Sequence, residues 1–326
     1  MHIRPRRNRK TTSLREMVCE SGIFCSDLLA PLFVLDQVSG REPITTLPGQ
    51  FRLGMAELLN ECRELQNLGV PAVALFPVVQ NNLKTKNGKA ALDLNFFYYR
   101  VISEIRNKFP NLSVMTDVAL DPYSSDGHDG IVDSKTGEIL NDETLEVLGQ
   151  MALLQARAGA SIIGPSDMMD GRIEYIRNIL ESENQKDINI MAYSAKYASS
   201  FYGPFRDALD SAPKFGDKKS YQMDYRNKRE ALREALLDQQ EGADILMVKP
   251  GLAYLDVISY LRENTQLPIA AYNVSGEYAM VKAAVASGWA NEENMVNEIL
   301  TSFKRAGAKI ILTYHAKDAA LWLQKN

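Results

Sequence analysis

The strand-like stretches of this chain are apolar at every position rather than at every second one. Four of them share a local pattern: an amphipathic helix, a glycine, a small residue, then an apolar run. The pattern occurs at residues 68–76 (L-G-V-P-A-V-A-L-F), 158–165 (A-G-A-S-I-I-G-P), 241–250 (E-G-A-D-I-L-M-V-K-P) and 306–314 (A-G-A-K-I-I-L-T-Y). Gly69, Gly159, Gly242 and Gly307 suit the left-handed conformation that ends a helix. A strand without alternation is buried on both faces, as in a parallel sheet covered by helices. Four further strands fit between these, at residues 29–35, 112–118, 188–194 and 268–274. Helices are predicted at 52–68, 95–108, 142–157, 171–183, 226–241, 254–264, 276–287, 292–305 and 317–325. Eight strands alternating with helices over about 300 residues predict a closed (β/α)8 TIM barrel rather than an open doubly wound sheet. No G-x-G-x-x-G follows the first strand, which disfavours a Rossmann arrangement.

Two stretches break the rhythm. Residues 197–224 form a connection rich in Gly, Pro, aromatics and charge. A connection this long reads as a lid or binding loop, and its aromatic content argues against disorder. Residues 117–140 begin D-V-A-L-D-P-Y-S-S-D-G-H-D-G and continue as a polar, hairpin-like stretch. Residues 1–27 precede the first strand and read as an arm outside the barrel, which then occupies 28–326.

Composition narrows the partners. The chain has 326 residues, 45% hydrophobic and 24% charged, with a net charge of -4. That suits a globular protein with a sizeable core and argues against nucleic acid as the main partner. The one basic run, Arg4 to Lys10, reads as a solvated or subunit-docking segment. No apolar stretch approaches about 18 residues, and no apolar segment follows the basic N-terminus, so neither a membrane span nor a secretory signal is expected. Cys19, Cys25 and Cys62 have no metal spacing and are odd in number, which suits a reducing cytoplasm.

Chemistry in such a barrel collects at the C-terminal ends of the strands. From the third strand onward those ends carry Asp117, Ser166, Lys196, Lys249, Ser275 and Tyr314. Lys196 and Lys249 close neighbouring apolar runs. Lysine is seldom buried, because its ammonium loses hydration that is hard to replace. Two buried amines in one pocket repel each other, and burial disfavours their charge. Both effects free a nucleophile able to form an imine with a ketone or aldehyde. The alternative is a pair of salt-bridged structural lysines.

The lid supplies Arg206 and Lys218, a natural clamp for a carboxylate, and Gln222 as an amide donor. Ordinary surface charge is the competing explanation. Ser275 and Tyr314 could hold a second carboxylate by neutral hydrogen bonds. The segment with Asp117, Asp121, Asp126, His128 and Asp129 has no Cys, and its carboxylates offer oxygen ligands suited to a hard cation such as Mg²⁺, or simply bend a loop. Glu230, near a helix start, is explained equally well by helix propensity and the macrodipole.

At these residues the chain resembles the porphobilinogen synthase (delta-aminolevulinic acid dehydratase) family over nearly its whole length. The matching strings are R-P-R-R, D-V-A-L-D-P-Y-x-x-x-G-H-D-G, G-P-S-D-M-M-D-G-R, Y-S-A-K-Y-A-S-S-F-Y-G-P-F-R-D, Y-Q-M-D, M-V-K-P, V-S-G-E-Y-A-M and K-R-A-G-A. The resemblance implies a TIM barrel whose N-terminal arm wraps a neighbour in a homo-octamer. It implies condensation of two 5-aminolevulinate molecules to porphobilinogen with loss of two waters, in tetrapyrrole (heme) biosynthesis, without an organic cofactor. By the same similarity Lys249 forms the Schiff base on the propionate side and Lys196 the one on the acetate side. Arg206, Lys218 and Gln222 match the acetate-side carboxylate contacts, Ser275 and Tyr314 the propionate-side ones. Asp117 and Ser166 then lie near the amines and reacting carbons.

Zinc-dependent relatives resemble D-x-C-x-C-x-Y-x-x-x-G-H-C-G. Here the three cysteine positions are Ala119, Asp121 and Asp129, so no thiolate zinc site forms and the aspartate-type, zinc-independent variant is implied. Asp121 and Asp129 are candidate metal ligands, and Glu230 matches a regulatory Mg²⁺ position at a subunit interface. Asp126 adds a carboxylate within the variable triplet. Lys218 stands where many relatives carry Arg, replacing a bidentate clamp by a point charge. Two other readings compete: a class I Schiff-base aldolase, which needs one imine lysine and usually a phosphate loop absent after strands seven and eight, and a non-catalytic carboxylate-binding barrel.

Overall fold

In the computed structural model, which describes residues 1–325, eight parallel strands close into a barrel. They are β1 (Leu28–Val34), β2 (Ala72–Pro77), β3 (Ser113–Val118), β4 (Ile162–Pro165), β5 (Asn189–Lys196), β6 (Ile245–Lys249), β7 (Ile269–Asn273) and β8 (Ile310–Thr313). Closure comes from β8 pairing with β1, Leu28 opposite Ile311 and Leu29 opposite Leu312. The outer ring contains α1 (Met55–Asn67), α2 (Phe97–Lys108), α3 (Asn141–Ala158), α4 (Arg172–Ser182), α5 (Arg229–Gln240), α6 (Leu255–Asn264), α7 (Glu292–Ala306) and α8 (Ala316–Leu323). An additional helix, Ser275–Ala286, starts directly after β7. These elements agree with the sequence expectation to within a few residues at each end. Gly159 and Gly307, both at φ 111°, end α3 and α7 in the left-handed conformation, and their N–H groups close the last turn.

Continuous apolarity resolves into two cores. Along β1, Leu28, Ala30, Leu32 and Val34 face the helices, while Leu29 and Phe33 face the barrel axis. On β2 and β3, Ala74, Phe76 and Met115 point inward and Val73, Leu75 and Val114 outward. Period-two alternation is present, but both destinations are dry, so the sequence does not display it.

One strand departs from this regularity. β5 and β6 pair Met191 with Ile245 and Ala192 with Leu246, then Ala195 with Val248 and Lys196 with Lys249. β5 therefore carries one residue more than β6 across the same span, a β-bulge. Before it, Met191 and Tyr193 face the interior; after it, Ala195 faces the helices. The extra residue reverses the parity and turns Lys196 to the same face as Lys249.

The two long connections fold over the open end. Residues 197–224 contain a helix, Gly203–Leu209, where the sequence suggested only a loop with binding residues. Arg52, from a small antiparallel hairpin (Arg41–Pro43 with Phe51–Leu53), holds that helix by donating to the carbonyls of Ala208 (2.7 Å) and Asp207 (2.9 Å). The predicted hairpin-like stretch is present as Ile131–Val132 paired with Ile139–Leu140. His128 joins the two connections through Tyr221 Oη and the Phe215 carbonyl, each at 3.1 Å. In the arm, a 3-10 turn (Pro5–Arg9) and a short helix (Thr12–Met17) bury no residue.

Candidate active site

Lys196 and Lys249 stand opposite each other at the ends of β5 and β6, 5% and 6% exposed. Their surroundings differ. Lys196 Nζ donates to Asp129 Oδ2 at 3.1 Å and to the Ser166 carbonyl. Lys249 Nζ has no carboxylate at ion-pair distance among the described residues. Four rings surround it instead: Tyr193, Tyr202, Phe205 and Tyr272, with centroids 5.0, 5.2, 5.0 and 4.7 Å away. Aromatic faces tolerate a cation but replace little of its hydration. Burial, reinforced by the neighbouring Lys196 charge, pushes the Lys249 amine down to about 7. Lys249 is thus an amine without a carboxylate partner, able to be neutral near pH 7, and Lys196 is the ion-paired one.

Asp117 ends β3 in the same pocket. Burial and the charge of Asp121 raise its carboxyl to about 7, against the opposing pull of both lysines and a Ser166 hydrogen bond. Its protonated form can donate, its ionised form accept, so Asp117 can relay a proton near neutral pH. Ser166, directly after β4, contributes both its hydroxyl to Asp117 and its carbonyl to Lys196.

Asp129 is held by three donors: Lys196, Lys218 Nζ at 2.6 Å and Gln222 Nε2 at 3.2 Å. Burial opposes its ionisation, but the two lysines outweigh burial and hold the carboxyl well below the usual range. Lys218 also reaches Asp121 Oδ2 at 3.4 Å. Asp121 and Asp129 thus face two ammonium groups. Those cations occupy the directions a metal would use, and the pair does not fit a divalent ion without displacing them.

Arg206, on the lid helix, is half-buried and makes no ion pair among the described residues, while its guanidinium lies 6.0 Å from the Tyr202 ring. It converges with Lys218 and Gln222 on a narrow space of about 20 Å³ that touches both lysines, and the same three side chains line an outer cleft of about 600 Å³ with Ser199, Phe201 and Tyr254. The Gln222 side-chain carbonyl is buried there without a partner. On the opposite side, Ser275 Oγ donates to the Phe201 carbonyl (3.3 Å) and accepts from the Phe205 N–H (3.0 Å). Tyr314 Oη meets Tyr272 Oη at 3.2 Å. Ser275 therefore ties the Phe201–Phe205 backbone to the end of β7.

The aromatic residues around Lys249 were not among the residues singled out from the sequence. Phe205 packs edge-on against Phe76, centroids 5.1 Å apart, and Tyr202 Oη donates to the Lys249 carbonyl at 3.0 Å. The available signal was the aromatic content of Y-G-P-F in the lid and the tyrosines two residues or more before the polar strand ends. Glu230, at the start of α5, lies outside this pocket. It accepts from Asn227 Nδ2 at 2.8 Å and lines a cleft of about 670 Å³ with Asp170, Asp224 and Glu234. Among the described residues no three of these carboxylates bring ligand atoms within 4.8 Å of one another, so a hard cation held there by Glu230 would keep most of its water.

The whole chain is similar to known proteins. A family model for delta-aminolevulinic acid dehydratase matches residues 2–322. The chloroplastic delta-aminolevulinic acid dehydratase of Physcomitrium patens is 52% identical over 324 residues, covering 99% of this chain and 74% of that one. The enzyme of the cyanobacterium Synechocystis sp. is 47% identical over 324 residues, covering 99% and 98%. The crystal structure of the Toxoplasma gondii enzyme, in complex with its reaction product porphobilinogen, superposes with a TM-score of 0.97 at 51% identity, covering 99% of this chain and 92% of that one. The chain therefore belongs to the delta-aminolevulinic acid dehydratase, or porphobilinogen synthase, family.

Proposed function

We propose that the lysine pair under the lid is where this lyase makes porphobilinogen, each lysine binding one of two 5-aminolevulinate molecules. The observation that carries the reading is the asymmetry of the two amines within one pocket. Lys249 is neutral enough to attack a ketone near pH 7. Its amine adds to the carbonyl carbon, and loss of water leaves the propionate-side imine. The second substrate molecule forms its imine on Lys196 once that ammonium passes a proton to Asp117, whose carboxyl titrates near 7, while Asp129 stays paired with Lys218. An iminium acidifies the adjacent C–H, so one molecule supplies the carbon that joins the other. The free amino group closes the ring on the other imine carbon, and both lysine amines leave as the ring loses its protons and becomes aromatic. Two molecules enter and porphobilinogen and two waters leave, which balances the atoms.

Each substrate carries a carboxylate. Arg206, with Lys218 and Gln222, holds the acetate-side group, and Ser275 and Tyr314 hold the propionate-side group. Asp117 and Ser166 move protons between the imine nitrogens and the reacting carbons. In this reading the enzyme is the aspartate-type, zinc-independent variant. Support comes from Ala119, Asp121 and Asp129 at the positions of the thiolates, and from the lysines that neutralise both aspartates. Mg²⁺ acts from outside the pocket, held by Glu230. The arm joins copies into a homo-octamer, supported by its exposed Met1, Ile3, Met17 and Phe24. Three free cysteines are consistent with a reducing cytoplasm, and no helix among the described residues is long and apolar enough to cross a membrane.

Borohydride reduction in the presence of 5-aminolevulinate, followed by peptide mass mapping, tests the lysine roles. Adducts are expected at Lys249 and Lys196, and Lys249→Ala should make no porphobilinogen in the colour assay. Turnover by Lys249→Ala would overturn the assignment. A zinc-selective chelator should leave activity intact while Mg²⁺ stimulates it through Glu230. Inactivation by that chelator, reversed by Zn²⁺ alone, would overturn the zinc-independent reading.

A further inference from the structure

A buried arginine that touches neither amine stands behind the Lys196 strand. Arg172, at the start of α4, is 3% exposed, and Asp238 of α5, which it grips, is 1% exposed. The fork is bidentate, Nη1 to Oδ1 at 3.0 Å and Nη2 to Oδ2 at 3.1 Å. Nη2 donates further to the Tyr193 carbonyl at 3.4 Å. Nε lies 4.0 Å from Asp167 Oδ2, and Asp167 follows Ser166, whose carbonyl accepts from Lys196. One guanidinium thus bonds the β5 backbone three residues before Lys196 and lies beside the carboxylate that follows Ser166.

The Tyr193 contact falls within the irregular stretch of β5. A bulge interrupts the ladder and leaves backbone groups in need of other partners. It is also what turns Lys196 inward. A slip of one residue would send that side chain to the helix layer, while Lys249, on a strand without the extra residue, would keep its direction. We infer that Arg172, locked by Asp238, is a positioning residue for Lys196: it holds the β5 bulge and thereby selects the face on which the second amine is presented. The inference rests on the reading of Lys196 as an imine-forming lysine.

The test uses the full-length enzyme in two forms, Arg172→Met with Asp238→Leu, which removes both partners of the fork and leaves Asp167 held by the Met169 N–H at 2.7 Å, and Arg172→Lys, which keeps the charge but loses the fork. Each is reduced with borohydride in the presence of 5-aminolevulinate, and the two lysine peptides are quantified against each other. In the folded double variant the Lys196 adduct should fall about a hundredfold relative to the Lys249 adduct, the scale of loss for a reacting group displaced by an ångström or so. Arg172→Lys should fall in between, and it serves as the test should the double variant not fold. An unchanged ratio, or a proportional loss of both adducts, would overturn the inference, since a merely structural defect lowers both. If the unaltered enzyme forms no Lys196 adduct, the imine reading of Lys196 fails by itself. The crystal structure of Arg172→Lys then decides: a retained bulge with Lys196 opposite Lys249 in its present orientation overturns the inference, and a slipped register supports it.

Discussion

The depressed pKa of Lys249 predicts a particular pH dependence for imine formation, separable from turnover. The suitable probe is levulinate, which has the ketone and carboxylate of the substrate but no amine to titrate. At pH 7.5 an ordinary lysine is neutral in about one molecule in a thousand, whereas an amine titrating near 7 is neutral in about three of four. That difference supplies about 700-fold more nucleophile, worth about 4 kcal/mol of barrier. The initial rate of cyanoborohydride trapping at Lys249 should therefore level off above pH about 7 and fall tenfold per unit below it. Lys196→Met removes a like charge, which stabilises the protonated amine and moves the limb to higher pH. Because burial among Tyr193, Tyr202, Phe205 and Tyr272 is the larger cause, the limb should remain well below the ordinary lysine range. A rate still climbing through pH 9 in the unaltered enzyme would refute the desolvation argument. An unmoved limb in Lys196→Met would refute the coupling between the amines.

Three further outcomes follow from the same geometry. Asp129→Asn leaves Lys196 and Lys218 buried without their shared counter-charge and should cost about 3–5 kcal/mol in thermal or denaturant unfolding at pH 7. Since the Asp129 carboxyl is held below its usual range, that stability is present above the unfolded-state pKa and is lost only as pH falls through the depressed folded value, so the gap should close only in strong acid. Asp117→Asn should act in the opposite direction. Its carboxyl is raised to about 7, so the native protein bears a penalty that grows between pH about 4 and 7 and is constant above. The variant should be more stable by roughly 4 kcal/mol at pH 8, nearly indistinguishable at pH 4, and slow in turnover; equal melting temperatures at pH 8 would contradict this. Arg52→Ala removes both hydrogen bonds that latch the lid helix, each worth about 1.5–3 kcal/mol for a charged donor. Limited proteolysis should then cut within residues 203–217 at least ten times faster, and an unchanged rate would show that Ser275 and His128 suffice to hold the lid.

The sequence by itself determined the barrel and the identity of its rim. Eight dry strands separated by helices admit few other closures, and the glycines after α3 and α7 mark where each helix must turn. The polar residues ending β3 to β8 were legible because each interrupts an apolar run. Tertiary structure decided which way those residues face and what they meet. In a strand buried on both sides the inward and outward positions look alike, so nothing in I-M-A-Y-S-A-K announces that an extra residue in β5 reverses the parity before Lys196. Nor could spacing reveal that Asp129, 67 residues away, pairs with Lys196, or that Lys218 faces two aspartates in the unliganded protein. Lys249 gained its low pKa from rings on β5, on β7 and in the lid, brought together only by closure of the barrel. Both lysines end apolar strands in the sequence; long-range packing alone leaves one among aromatic rings without a carboxylate and makes the other an ion-paired amine.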